Sequence, residues 1–246
     1  MSRTPRRTQL TPGYILHHVP YRDTSRILEV FTREHGRLTL FARAVRGPKA
    51  RLAAVLQPFQ LLLLSYSGRG EAAQLTAAEL APSAQGAPPG GYLMACFYLN
   101  ELLLKLTTRH DPHPSLFDSY HGTLEQFRGG APLEPGLRVF EKRLLAELGY
   151  GLDLAVELKT GERIVSGAYY LFRPGEGLVA ASPGTPGALA GSSLESLARE
   201  QLAGAAALAD ARRLLRAALD HCLEGRELAT RAVAREVLEL RPASRQ

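Results

Sequence analysis

Short runs of alternating apolar and polar residues fill the first 80 positions of the chain, and this period of two is typical of half-buried β-strands. The clearest run spans residues 37–44, where leucine and alanine alternate with threonine, phenylalanine and arginine. Gly36, which tolerates a positive φ, marks the turn that precedes this run. The predicted strands are Thr11–Val19, Ser25–Thr32, Arg37–Ala44, Phe59–Tyr66 and Glu71–Leu80.

Five short strands in about 70 residues predict a small closed barrel over residues 1–80. An oligonucleotide-binding (OB) barrel is one candidate, and an SH3-like barrel would produce a similar pattern. A stretch rich in proline and glycine follows at residues 81–91, and we interpret it as a linker between domains.

After the linker the apolar spacing changes to three and four residues, which indicates helices. Tyr92–Thr108 is apolar almost all round, so we expect it to be buried on most sides. Residues 150–191 are rich in glycine and proline and contain two β-like pieces, Arg163–Val165 and Ala168–Phe172. The other predicted helices are Ser115–Phe127, Glu134–Leu148, Ser193–Leu202, Ala207–Leu223 and Arg226–Leu240.

The predicted fold class is therefore α+β with more than one domain. The N-terminal five-stranded barrel precedes an all-α helical domain, formed by residues 92–149 and 192–246. An irregular β-hairpin insertion at residues 150–191 interrupts that helical domain.

Composition narrows the class of protein. The 246 residues are 45% hydrophobic, which is enough for a buried core. The sequence contains no run of about 18 apolar residues, the length that a transmembrane helix needs. The N-terminus is basic, but no apolar segment of the signal-peptide kind follows it. Cys96 and Cys222 both lie in apolar helical patterns, so a disulfide framework or a cysteine-ligated metal is not expected. We therefore expect a cytoplasmic protein.

The net positive charge of the chain is confined to the predicted barrel. Residues 1–80 hold 12 Lys and Arg against 5 Asp and Glu, whereas the remaining residues hold 18 against 19. This asymmetry favours an anionic partner such as nucleic acid for the barrel. The alternative is a general preference for arginine, which outnumbers lysine throughout the chain.

The densest group of acid and histidine residues is His110, Asp111 and His113. Because these residue types bind metals and exchange protons near neutral pH, a hydrolase based on Asp111 and His113 is one alternative. Two prolines interrupt the group, however, and the pattern is more typical of a helix end. His17 and His18 are adjacent on a strand, so their rings point to opposite faces. The GxSxG, HExxH and Walker A motifs are missing, and we expect no catalysis, no cofactor and no metal.

A basic barrel with accessible aromatic rings is typical of proteins that bind single-stranded nucleic acid, because cations contact the phosphates and rings stack on the bases. Tyr14, Tyr21, Phe31 and Phe41 are the aromatic candidates; we interpret Phe31 and Phe41 as core residues and Tyr21 as open to stacking. For the cations of the loop at residues 46–51, a merely solvated surface is the alternative. The predicted DNA-binding residues are Tyr21, Arg26, Arg37, Arg43, Arg46, Lys49, Arg51 and Arg69.

In the helical domain, Glu134, Arg138 and Lys142 follow one another at intervals of four residues. Such a spacing is typical of an exposed ladder of ion pairs on one helix face. The alternative is an arginine that captures the acidic terminus of a partner.

Four stretches of the chain carry framework motifs rather than catalytic ones. They read TSRILEVFTREHGRLTLFARAVR (Thr24–Arg46), LQPFQLLLLSYSGRGE (Leu56–Glu71), FYLNELLLKL (Phe97–Leu106) and LRVFEKRLLAELGYGLDL (Leu137–Leu154). A weaker echo is found at Gly225–Leu228. In this order the stretches resemble the RecO family of bacterial recombination-repair mediators.

The resemblance implies an N-terminal OB barrel, a helical domain and no enzymatic turnover. It implies binding to single- and double-stranded DNA and annealing of complementary strands at the nucleoid. It also implies contact with the acidic tail of the single-strand binding protein, partnership with RecR and help in loading the RecA recombinase. A scaffold whose basic barrel binds only protein is the alternative.

Many RecO proteins carry a four-cysteine zinc site after the Leu-Gly-Tyr-Gly motif. Residues 150–191 hold neither cysteine nor histidine here, so the resemblance is to the zinc-free branch. We therefore expect packing alone to hold the insertion together. The family motif also implies that Arg138 binds the acidic tail, because an arginine fork grips a carboxylate with two hydrogen bonds, with Lys142 one turn away.

Overall fold

The computed structural model describes residues 7–43, 45, 51–68 and 72–239. Its N-terminal strands are β1 (Arg7–Tyr21), β2 (Ser25–Thr32), β3 (Gly36–Ala42), β4 (Leu62–Ser67) and β5 (Ala73–Leu80). They form a closed barrel in the order β1-β2-β3-β5-β4, and a short helix, α1 (Arg51–Val55), lies between β3 and β4. All pairings are antiparallel except that of β3 with β5. This strand order confirms the predicted barrel and favours the OB type over the SH3-like type.

The barrel core follows the alternation in the sequence. In β3, Leu38, Leu40 and Ala42 are buried, and the residues between them lie on the outer face. The same rule applies to the neighbouring strands, because successive side chains of a strand point to opposite faces. The core is completed by Ile15, Leu28, Val30, Val45, Leu56, Leu62, Leu64, Tyr66 and Leu75.

The turn between β2 and β3 packs closely on a later part of the chain. Gly36 has a φ of +66°, as expected for this turn, and a Cβ added here would lie 2.0 Å from the backbone oxygen of Asp111. The amide of His110 also donates to the carbonyl of Arg37 at 2.9 Å. The absence of a side chain at Gly36 therefore permits both the turn and its contact.

The remaining chain is mainly helical. Its helices are α2 (Gly90–Leu106), α3 (Pro114–Arg128), α4 (Leu133–Glu147), α5 (Gly191–Ala198), α6 (Ala205–Leu223) and α7 (Ala229–Glu239). Within the ranges described, no helix is both long enough and apolar enough to cross a membrane.

The described chain divides into two compact units, residues 7–128 with 228–239 and Gly129–Glu227. The helices α2, α3 and α7 therefore group with the barrel, whereas the predicted helical domain placed them with α4, α5 and α6. The reason lies in contacts that sequence spacing does not reveal. Asn100 of α2 donates to the carbonyl of Leu16 at 2.9 Å, and Glu101 accepts from the first amides of α7.

Two aromatic residues of the barrel, Tyr14 and Phe31, are buried against side chains of α3. Tyr14 is buried against Tyr120, with ring centroids 5.1 Å apart, and its hydroxyl lies 2.6 Å from His121 Nδ1. Phe31 packs against Phe117. Phe31 is thus a core residue, as predicted, and Tyr14 is unavailable for stacking on a base.

The second unit contains a three-stranded antiparallel sheet in the order β7-β6-β8, built from β6 (Tyr169–Arg173), β7 (Gly177–Ala181) and β8 (Leu189–Ala190). The predicted piece at Ala168–Phe172 is present as β6, one residue later. The predicted piece at Arg163–Val165 forms only a single bridge, between Val156 and Arg163.

Two predicted helices differ from the observed ones by three residues or more at one end. The helix predicted to reach Leu202 ends at Ala198, because Glu200 adopts a φ of +58°. The last helix begins at Ala229 rather than Arg226, because Glu224 and Gly225 both have a positive φ and end α6. Left-handed residues of this kind terminate helices.

The segment after α4 is organised by one buried carboxylate, so the expectation that packing alone holds it was wrong. Glu157 is 4% exposed and accepts hydrogen bonds from the amides of Lys159, Thr160 and Ala180, at 3.0, 2.7 and 3.2 Å. The Thr160 hydroxyl donates a fourth, at 2.9 Å. Because Ala180 belongs to β7, the carboxylate ties the loop to the sheet.

Replacing Gly36 by alanine should destabilise the protein. We expect a loss of roughly 2–4 kcal/mol in the free energy of unfolding, because alanine is strained at this φ and its Cβ would overlap the backbone at Asp111. Denaturant unfolding measures the effect. The control is Gly122→Ala in α3, where a Cβ meets nothing within 4 Å. Alanine should raise the free energy of unfolding there by about 0.5–1 kcal/mol. Equal stabilities of the two variants would contradict the close approach at Gly36.

The contribution of Glu157 should depend on pH. The backbone N–H of Thr160, aided by the Thr160 hydroxyl and the amides of Ala180 and Lys159, lowers the pKa of Glu157 despite its burial. Stabilisation by such a group is present above the unfolded pKa of about 4.3 and is lost as the pH falls through the lower folded pKa. We therefore expect Glu157→Gln to reduce Tm at pH 7 and to approach the wild type as the pH drops below about 4.

Glu162→Gln is the matched control for Glu157→Gln, because Glu162 is exposed in the same segment. It should leave Tm nearly unchanged across this pH range. A Glu157→Gln protein that melts like the wild type at pH 7 would show that the carboxylate does not organise the segment.

Candidate nucleic-acid interface

A groove of about 620 Å³ crosses the outer face of the barrel, and every strand contributes at least one residue to its lining. In the strand register Ile27 of β2 pairs with Phe41 of β3, Phe41 with Gln74 of β5, and Gln74 with Ser67 of β4. Tyr21 ends β1 on the same side. The groove therefore runs across the strands, and the strand residues that line it lie on the outward face that the alternation provides.

Two aromatic rings and two guanidinium groups dominate this groove. Tyr21 and Phe41 meet edge to face, with ring centroids 5.2 Å apart, and Tyr21 is 37% exposed. The guanidinium of Arg22 lies 5.3 Å from the Tyr21 ring centroid, and that of Arg43 lies 5.6 Å from the Phe41 centroid. Cation–π contacts of this kind hold each charge beside a ring.

The groove corrects the interpretation of Phe41, which was expected in the core. Its strand position is outward, and only the inward residues on either side of it are buried. Tyr21 lines the groove, and its stacking role stays a prediction. Arg22 was missed, although its place next to Tyr21 in a turn was the available signal.

The predicted cations do not share one environment. Arg43 is exposed in the groove, whereas Arg26 is half-buried and does not line it. Arg26 instead lies near His18, whose pKa is lowered by burial and then by the charges of Arg26 and His17. Arg46, Lys49 and Arg69 lie outside the described residues, as does the side chain of Arg51 at the start of α1. Gly68 and Ala72, which flank the undescribed residues 69–71, both line the groove.

Arg37 is engaged inside the protein. Its guanidinium donates to Glu29 at 3.0 Å and to the carbonyl of Thr107 at 2.8 Å, and its side chain is 13% exposed. Arg109, which sequence reasoning overlooked, donates to the same carboxylate at 2.6 Å, and Thr39 does so at 2.6 Å. Burial opposes ionisation of Glu29, but these hydrogen bonds and charges prevail, so the pKa of Glu29 is lowered. Arg37 therefore neutralises Glu29 rather than facing a ligand.

The predicted tail-binding residues belong to the second unit and are also engaged. The side chain of Arg138 is 8% exposed and contacts Glu141, 1% exposed, at 3.1 Å. Lys142 donates to the carbonyl of Ala198 at 2.8 Å and to Glu200 at 3.2 Å. The structure therefore does not combine Arg138 and Lys142 into an open clamp.

The remaining histidine, acid and cysteine candidates form no metal-binding cluster among the described residues. His113 and Asp111 lie 3.4 Å apart, and no group of three or more possible metal-ligating residues occurs in the described ranges. Cys96 and Cys222 are unpaired and buried. Burial raises the pKa of Cys96 to about 12 and also raises that of Cys222, so neither presents a ready thiolate.

The structure defines the class of protein: an OB-like barrel with a cross-strand groove, followed by a helical region. The family model described as recombination protein O, N terminal, matches residues 7–84, and the corresponding C-terminal model matches residues 90–232. Together they cover most of the sequence. The chain belongs to the RecO family of DNA repair proteins.

Individual relatives agree with this assignment. The chain is 43% identical to the DNA repair protein RecO of Thiobacillus denitrificans, over 94% of this chain and 93% of the relative. It is 40% identical to that of Azoarcus sp., over 93% and 96% of the two chains. The figure for Nitrosococcus oceani is 41%, over 98% of both chains.

The pair formed by Arg138 and Glu141 should behave as a buried ion pair. We expect Arg138→Met to lower the free energy of unfolding by about 3–5 kcal/mol, because it leaves the Glu141 carboxylate buried without this cation. The double variant Arg138→Met/Glu141→Leu should recover most of the loss, since apolar side chains can replace such a pair at little cost. Denaturant unfolding of both variants measures the effect. A double variant less stable than Arg138→Met would contradict a simple pair.

Proposed function

We propose that this protein is a recombination mediator that binds single- and double-stranded DNA and anneals complementary strands. In the same proposal it contacts the tail of the single-strand binding protein and, with RecR, helps to load RecA. It would act at the nucleoid, in the cytoplasm. The groove carries the DNA-binding part of the proposal, and family membership supports the rest.

The groove supports DNA binding because it combines the two features that single strands require. Tyr21 and Phe41 provide aromatic rings for bases, and Arg22 and Arg43 provide charges for phosphates. Residues 1–80 also hold the whole positive excess of the chain. Annealing follows from such a surface, because cations that cover phosphates reduce the repulsion between two approaching strands.

The acidic-tail contact is supported by family membership rather than by open cations at Arg138 and Lys142. Since Arg138 is nearly sealed, its loss would weaken tail binding through the packing of α4. The double variant Arg138→Met/Glu141→Leu separates the two roles. A stable double variant that no longer binds an acidic tail peptide supports a direct role for Arg138, and one that binds it normally argues against that role.

DNA binding should depend strongly on salt. If about five cations contact phosphates on a single strand, the logarithm of the association constant should fall with the logarithm of salt concentration with a slope of about −3.5. Arg22→Gln/Arg43→Gln should make this slope shallower by about 1.4, because two of the contacts are lost. Fluorescence anisotropy of a labelled oligonucleotide over a salt series measures both slopes.

Arg212→Gln/Arg216→Gln is the matched control, because it removes the same charge from exposed positions on α6. Its slope should equal that of the wild type. A salt-independent wild type, or a wild type that binds no oligonucleotide, would reject the proposal and leave a scaffold with a protein-binding barrel.

A further inference from the structure

The side chains on the floor of the barrel groove offer a ligand hydrogen-bond acceptors rather than donors, and Gln74 is the first of them. Its amide nitrogen donates to the carbonyl of Phe41 at 2.9 Å and to that of Leu75 at 3.0 Å. Both N–H groups of the amide are therefore used. The opposite orientation would place the amide oxygen against two carbonyl oxygens, so the network determines which atom is which. The group that Gln74 has left to offer a ligand is an acceptor, Oε1.

Thr39, also in the groove lining, has the same polarity. Its hydroxyl donates to Glu29 Oε1 at 2.6 Å, so its oxygen retains only lone pairs for a ligand. Thr39 and Gln74 lie on adjacent strands, beside Phe41. The hydroxyls of Tyr21 and Ser67, which can donate or accept, lie towards the β1 and β4 ends of the lining.

The charged donors of the groove are placed differently. Arg22 follows β1 and Arg43 follows β3, so both lie where strands end, and both are exposed. Phosphate oxygens only accept hydrogen bonds, and they therefore match Arg22 and Arg43 but not Thr39 or Gln74. Bases, in contrast, have flat faces and at least one N–H each, and they match both the rings and the acceptors.

We propose that the groove binds a single strand with its bases turned towards the floor and its phosphates at the strand ends. Tyr21 and Phe41 contact base faces, and Gln74, with Thr39, accepts hydrogen bonds from base N–H groups. Gln74 is thus a specificity-determining residue, which favours unpaired bases over a duplex, whose Watson–Crick N–H groups are occupied. This inference rests on the proposed DNA binding and adds its orientation.

An abasic oligonucleotide tests this orientation, because it keeps the phosphates and removes the bases. The probes are a labelled single-stranded 12-mer of mixed sequence and an abasic 12-mer with the same backbone charge. We expect the full-length wild-type protein to bind the base-containing strand at least about tenfold more tightly, since one stacked base contributes between about fivefold and a hundredfold. Tyr21→Ala/Phe41→Ala should bring the two affinities together.

Gln74→Met tests the acceptor while keeping a side chain of similar length. It should weaken binding of the base-containing strand by about two- to tenfold and leave binding of the abasic strand unchanged. Gln57→Met is the control, because Gln57 is an exposed glutamine outside the groove whose amide donates to Ala53. It should alter neither affinity. The abasic affinity also reports folding, because a disrupted barrel would lose both strands together.

The three ways in which these experiments can fail are distinguishable. If the wild type binds both strands equally well, DNA binding stands and the inward orientation of the bases is wrong. The orientation is also wrong if Gln74→Met weakens both strands to the same extent, because the residue then acts through the fold. If the wild type binds neither strand at low salt, the proposed function itself is rejected.

Discussion

The short parallel pairing between β3 and β5 is the interaction on which both the barrel and its groove depend. It has two residue pairs in the register, Leu40 with Ala73 and Phe41 with Gln74. The side chain of Gln74 adds a bond to the carbonyl of Phe41 across the same seam. Closure here removes the free edges of the sheet, and it also places an aromatic ring of one strand beside an acceptor of another. Gln74, which pairs across this closing seam, is therefore also a residue of the groove.

Internal charge balance decides which cations of the barrel remain for a ligand. Glu29 lies half-buried on the outer face of β2, where an uncompensated carboxylate would be costly. Arg37 and Arg109 both bind it, and Arg37 also ties the barrel to the end of α2 through the carbonyl of Thr107. Arg43, six residues further along the chain, lies beside the ring of Phe41, and no ion pair joins it to a carboxylate of the described residues. The same stretch thus carries a structural arginine and a groove arginine.

The second unit also contains a buried carboxylate, that of Glu157, which holds the structure around it together. Glu157 satisfies three backbone amides and a hydroxyl in a segment with little regular structure, and one of those amides belongs to β7. A small segment has little apolar surface to bury, so directed hydrogen bonds to a carboxylate supply order that packing would not. This arrangement suits a member of the RecO family in which the segment has no cysteine or histidine.

Much of the architecture could be read from local pattern. The period of two predicted the strands, Gly36 marked the turn, and the helical spacings located α2, α3, α4 and α6, because these signals depend on neighbours in the chain. The framework motifs indicated the family, and the charge count indicated the barrel as the basic part. Among the residues of the groove, Tyr21 and Arg43 were within reach of this reasoning.

Only the tertiary structure decided which of these side chains are available. Phe41 and Leu40 are both apolar in the sequence, yet strand pairing turns one into the groove and the other into the core. Arg37 and Arg43 have the same charge, and the carboxylate that occupies Arg37 comes from a neighbouring strand. Arg138 matched a motif but is buried beside Glu141. The sequence by itself determined the elements and the charge of the barrel, whereas the tertiary structure determined exposure and partners, because these depend on residues distant in the chain.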